Sequence, residues 1–267
     1  VTPALAATLL GLGAAGGFLA GLLGVGGALV LIPLLLYVPP WLGVGVLDVR
    51  AVAAVSMVQV FVAALSGVLA HRRHRAVHGE LAWVGGLTMA AASFLGASLS
   101  RVVPERWILL VFALMATGAA VLLAVPEGAW GSSPAPSPGA PDGPLVYSRL
   151  RAGVVAGVVG LAAGLVGAGG AFLLVPLLIT VVGIPVRVTI GSSLAITAVG
   201  ATAGFLGKLV SGQIPPGPAL AVALGAVPGA QLGAAVSRRL ASSRLRAALF
   251  AVVVFTAVRV WWDVLSR

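Results

Sequence analysis

Ten apolar runs of 12 to 20 residues, all but the last free of any charged side chain, occupy most of this chain, at 4–23, 27–38, 51–70, 81–99, 107–125, 152–166, 170–184, 188–207, 219–236 and 245–262. About 20 such residues in a helix match the ~30 Å thickness of a bilayer core. Only 8% of the 267 residues are charged, against roughly 25% in an ordinary soluble domain. That is too few to cover a water-facing surface. A soluble enzyme, a disordered chain and a free nucleic-acid binder are therefore excluded. With 60% hydrophobic residues and a mean hydropathy of +1.15, the chain is expected to be an all-α polytopic membrane protein whose first partner is the lipid bilayer.

The net charge of +10 comes from 16 Lys and Arg against 6 Asp and Glu. The basic residues lie chiefly between or at the ends of apolar runs, where the positive-inside rule places them, so the charge is read as topology and not as a nucleic-acid surface. No basic residue precedes run 4–23, which is expected to be a span and not a cleaved signal. Cysteine is absent, which removes disulfides and thiolate metal sites. Trp41, Trp83, Trp107, Trp130, Trp261 and Trp262 fall near run ends, as interfacial anchors do.

The chain reads as a duplication. Residues 21–36 (GLLGVGGALVLIPLLL) and 164–179 (GLVGAGGAFLLVPLLI) are identical at 10 of 16 positions at an offset of 143. Further on the offset becomes 137, aligning Arg50 with Arg187, Ser56 with Ser193, Gly96 with Gly233 and Arg101 with Arg238. Residues 1–125 and 149–267 are thus expected to be two transmembrane repeats, joined by a Pro/Gly/Ser-rich linker at 126–148. If all five segments of each half cross, Lys and Arg divide ten against six between the two faces; if the second segment of each half does not, they divide eight against eight. The first count fits the positive-inside bias and predicts inverted repeats in a cell inner membrane.

The second segment of each half is short: 27–38 would span about 18 Å, roughly 60% of the hydrocarbon core. Each is entered through a glycine motif, Gly24-Val25-Gly26-Gly27 or Gly167-Ala168-Gly169-Gly170, which predicts a broken helix with unwound backbone at membrane depth. Free N–H groups there need a partner, and a helix N-terminus favours an anion. The glycines would let a ligand approach the backbone. Close helix packing is the alternative role, and the one expected of Gly13, Gly17 and Gly21 at spacing four.

These motifs, followed by Pro33-Leu34-Leu35 and Pro176-Leu177-Leu178, and then by Ile190-Gly191-Ser192-Ser193-Leu194-Ala195, resemble the sulfite exporter TauE/SafE family of membrane permeases. The resemblance covers the chain outside the linker. Where the family typically carries a further Gly, this chain has Ala28 and Ala171. The resemblance implies export of a small sulfur-containing anion such as sulfite or an organosulfonate.

The expected anion site comprises the backbone of Gly24, Gly26, Gly27, Ala28, Gly167, Gly169, Gly170 and Ala171, with the side chains of Ser56, Gln59, Ser192 and Ser193. Hydroxyls and amides at membrane depth donate to an anion without adding a charge, although a helical serine also bonds back to its own helix. Arg50, Arg187 and Lys208, near run ends, are candidate steering or gating charges, with interfacial anchoring as the alternative. His71, His74 and His78 share a helical face, but Arg72, Arg73 and Arg75 between them oppose a metal, so neither metal nor cofactor is expected. Every Asp and Glu lies in a loop or at a run end; a carboxylate-coupled transporter or an intramembrane hydrolase would place one in mid-span. The chain is therefore read as an alternating-access anion exporter and not an enzyme. The alternatives are a permease for another solute or a metal cation, and, further off, a membrane enzyme acting on a lipid phosphate.

Overall fold

The computed structural model describes residues 2–23, 27–71, 78–124, 147–237 and 242–266. The linker at 126–148, apart from its last two residues, lies outside them, as do the basic stretch 72–77 and three residues of the first glycine motif, Gly24, Val25 and Gly26.

Each of the ten apolar runs forms a helix: α1 (Pro3–Leu23), α2 (Ala28–Trp41), α3 (Val49–His71), α4 (Gly79–Leu99), α5 (Glu105–Ala124), α6 (Arg149–Val166), α7 (Ala171–Leu177, continued by a π-helical turn, Leu178–Val182), α8 (Val186–Val210), α9 (Pro216–Ser237) and α10 (Ser242–Ser266). Local sequence sets their starts. Pro3 and Pro216 stand at the first position of α1 and α9, where the missing N–H costs nothing. The Asp48 carboxylate accepts from the Ala51 amide (2.9 Å) at the start of α3, and the Ser148 hydroxyl from the Arg151 amide (3.3 Å) at the start of α6. Inside α2, Pro33 lacks the N–H that would reach the Leu29 carbonyl, and the Thr256 hydroxyl of α10 lies 3.5 Å from that oxygen.

Among the described residues, α1, α4, α5, α6, α8 and α9 are long and apolar enough to cross a membrane, while α2 and α7 with its π turn are shorter. The protein is a multi-pass membrane protein. Trp41, Trp83 and Trp262 are largely exposed, as lipid-facing anchors should be.

Glycine decides how the helices meet. Gly13, Gly17 and Gly21 of α1 press against the backbone of Val222, Ala226 and Ala230 of α9, while Gly225, Gly229 and Gly233 press against Leu10, Ala14 and Phe18. The two helices run parallel with backbones nearly touching, so here spacing four serves packing. α6 lies on α4 in the same way, Gly160 against Met89 and Gly164 against Ser93. α8 also runs parallel to α4, Gly200 meeting Met89 and Gly207 meeting Phe94. α2 follows α10, from Leu29 near Thr256 to Tyr37 bonded to Asp263.

The packing pairs come in matched sets. α1 on α9 corresponds to α6 on α4, α3 on α9 to α8 on α4, and α2 on α10 to α7 on α5; α3 on α8 and α5 on α10 are their own counterparts. The core runs through α3, whose residues 52–60 are all buried.

Candidate functional site

The chain reverses at Gly167–Gly170 with three glycines at positive φ, 80°, 69° and 72° for Gly167, Gly169 and Gly170. A side chain at these positions would be strained. Gly167 also closes α6, its amide donating to the Ala163 carbonyl (2.8 Å). Beyond it, the amides of Gly169, Gly170, Ala171 and Phe172 meet no acceptor among the described residues. Gly27, with φ 65°, begins α2 as Gly170 begins α7.

Both turns press on one stretch of α3. A Cβ on Gly167 would fall 1.9 Å from the Ala53 carbonyl and 2.8 Å from the Ser56 hydroxyl; one on Gly169 would fall 2.3 Å from Val60, and one on Gly27 2.8 Å from the Gln59 amide nitrogen. Residues 53–60 thus bring together two turns that lie more than a hundred residues apart in sequence. The Ser56 hydroxyl is shared between the Gly167 carbonyl (3.0 Å) and its own helix at Ala53 (3.2 Å). Gln59 is fully buried, and neither its oxygen nor its nitrogen has a hydrogen-bond partner among the described residues. A buried amide normally finds partners.

Ser192 and Ser193 are buried on α8. Ser192 accepts from the His78 amide (3.1 Å) and so lies toward the end of the bundle where α4 begins. There the Glu80 carboxylate pairs with Arg149, and the His78 and Tyr147 rings meet edge to face. Burial raises the Tyr147 phenol above its ordinary range, Glu80 adds to this and Arg149 opposes it.

The candidate charges separate. Arg50 is half-buried and donates to the Val103 carbonyl (3.2 Å). Arg187 belongs to the first turn of α8, its side chain outside the described residues. Lys208 is completely buried and donates to the Ser100 hydroxyl, the Gln213 side-chain oxygen and the Leu165 carbonyl.

Sequence reasoning missed three polar residues. Thr197 is buried, its hydroxyl without a partner among the described residues; the offset of 137 that pairs it with Val60, the neighbour of Gly169, was a signal for it. Ser100 and Gln213 carried no signal, being 113 residues apart at the ends of apolar runs. Residues 163–171 are buried throughout. Two apolar clefts, of about 430 Å³ between α5 and α10 and about 330 Å³ between α4 and α8, open elsewhere on the surface.

A broken-helix turn of this kind, packed on a polar stretch of a central helix inside a multi-pass bundle, is what the doubled motif implies. The family model for the sulfite exporter TauE/SafE matches residues 9–260. The chain belongs to the TauE/SafE family. A TauE/SafE member is a membrane transporter, and two curated relatives have that description. A "Probable membrane transporter protein" of Xylella fastidiosa strain Temecula1 is 31% identical over 262 residues, covering 95% of this chain and 94% of the relative. A protein of the same description from strain 9a5c is 30% identical over 259 residues, again covering 95% and 94%. No solved structure matches the chain significantly.

Proposed function

We propose that this transporter exports a small anion, sulfite or an organosulfonate, from the cytoplasm across the cell inner membrane by alternating access. The observation that carries the reading is the convergence of Gly27, Gly167 and Gly169 on residues 53–60 of α3. The unpaired amides of 169–172 supply donors and a positive helix end, and the unpartnered Gln59 amide lies beside the other turn. Ser56, Ser192 and Ser193 add hydroxyls, and in this reading Gly24, Gly26, Ala28 and Ala171 complete the backbone shell. The buried state of 163–171 corresponds to an occluded conformation.

In the same reading residues 1–125 and 149–267 are inverted repeats around the linker. Supporting this, the most extensive packing pairs each have a counterpart in the other half. The parallel contacts of α1 with α9, and of α4 with α6 and α8, fit such an arrangement when successive helices alternate in direction. Rocking one half against the other would expose the shared site to alternate faces.

Every Asp and Glu stands outside the mid-span regions, so the driving force assigned here is the membrane potential. It contributes about 2.3 kcal/mol per charge per 100 mV to an anion leaving a negative interior. The test is flux of a permanently charged sulfonate in proteoliposomes. It is expected to follow an imposed voltage and to persist when the proton gradient is collapsed. Flux that vanishes with the proton gradient at fixed voltage contradicts the coupling, and absence of any anion flux contradicts the substrate class.

A further inference from the structure

Lys208 lies within the apolar span Ser192–Val210 and is completely buried. Its ammonium has three donors, and the structure fills all three: Ser100 Oγ at 2.5 Å, Gln213 Oε1 at 3.2 Å and the Leu165 carbonyl at 3.4 Å. All three acceptors are neutral, and no carboxylate among the described residues pairs with it. A buried ammonium is normally matched by an opposite charge, and within a membrane the cost of leaving it unmatched is larger still. The site is hydrogen-bonded but one negative charge short.

Its surroundings offset part of that cost. α4, α6 and α8 run parallel, and their C-terminal turns gather around the ammonium, turning the negative ends of three helix dipoles toward it. Gln213 and Ser100 form a closed network, Gln213 Nε2 donating to the Ala97 carbonyl (2.9 Å) and the Ser100 hydroxyl lying 2.8 Å from Gln213 Oε1. Arg50, Arg101 and Arg106, also toward that end, are respectively bonded to the Val103 carbonyl, exposed, and exposed over the Trp107 ring. Leu165 stands two residues before Gly167, so the ammonium and the unpaired amides of 169–172 flank one turn of the chain.

We propose that Lys208 is the counter-charge of the transported anion, a subsite at which a small oxyanion takes the place of one of the neutral acceptors. The proposal rests on the small-anion reading above and adds to it the residue that recognises charge. A charge-assisted bond to an oxyanion is roughly twice as strong as one to a neutral oxygen, which favours the exchange. Giving up Leu165 would untie α8 from the end of α6 that leads into the glycine turn, coupling anion arrival to release of that turn.

The test is anion binding to the purified full-length protein, measured by calorimetry at one neutral pH, with methanesulfonate as a permanent monoanion and sulfate as a dianion. Lys208→Gln is expected to weaken binding about tenfold or more, more for the dianion than for the monoanion, and Lys208→Arg to keep most of the affinity. A purely structural lysine would affect both anions alike, and that result overturns the proposal. Gln213→Glu tests the same point without removing the lysine. A fixed carboxylate of the same shape supplies the missing charge, so the variant is expected to melt higher than wild type and bind about tenfold more weakly. If Lys208→Gln does not fold, Gln213→Glu decides alone. Wild-type binding with unchanged affinity in Gln213→Glu overturns this inference and leaves the small-anion reading standing; wild-type protein that binds neither anion overturns both.

Discussion

The hydroxyl of Ser56 lies 3.0 Å from the carbonyl oxygen of Gly167, joining the central helix α3 to the turn that ends α6 across 111 residues of sequence. Each group satisfies the other where water does not reach, and the bond holds the turn against residues 53–60.

Ser56→Ala removes the donor and leaves the Gly167 carbonyl without its α3 partner. Destabilisation of about 1 to 2 kcal/mol is expected, read as a lower thermal midpoint in detergent, together with reduced transport. An unchanged midpoint would show that the bond does not hold the turn.

Gly169 and Gly183 both have positive φ, 69° and 80°, but a Cβ at Gly169 meets Val60 at 2.3 Å whereas one at Gly183 meets open space. Alanine at either position costs about 1 to 2 kcal/mol for the left-handed backbone. Gly169→Ala is expected to cost more than Gly183→Ala and to abolish transport, while Gly183→Ala remains active. Because the obstacle is a side chain, Val60→Ala in the Gly169→Ala background is expected to recover part of the lost stability. Equal midpoints for the two single variants would argue against close contact at Gly169.

Gln59→Leu replaces a buried amide that has no partner among the described residues with an apolar group of similar size. Stability is expected to hold or rise, since no hydrogen bond is lost, while anion flux falls about tenfold on losing a charge-directed donor. A variant that transports normally would remove Gln59 from the site.

Because the chain contains no cysteine, single cysteines report topology without background. Val46→Cys and Val102→Cys, on exposed connections beside the start of α3 and after α4, are expected to react with an impermeant thiol reagent from one face. Ser148→Cys and Gly183→Cys, at the starts of α6 and α8, should react from the other. Labelling of positions 46 and 183 from the same face would favour parallel over inverted repeats.

The ten helices and the short second segment of each half were legible in the sequence for a local reason. A helix in lipid satisfies its own backbone, so an apolar run bounded by charge or Pro is enough to define it. Left-handed glycines at Gly27, Gly167, Gly169 and Gly170 were foreshadowed by the motifs, because only glycine adopts that backbone cheaply. The sequence also set the glycine ridge at Gly13, Gly17 and Gly21, but not its partner.

Only tertiary structure decided that α1 rests on α9 and α6 on α4, that both glycine turns press on residues 53–60 of α3, and that Lys208 is buried against Ser100, Gln213 and Leu165 and not at a membrane surface. None of these has a local signature. Apolar faces pack equally well on many partners, and what selects among them is the mutual fit of glycine-lined backbones and buried polar groups over the whole bundle.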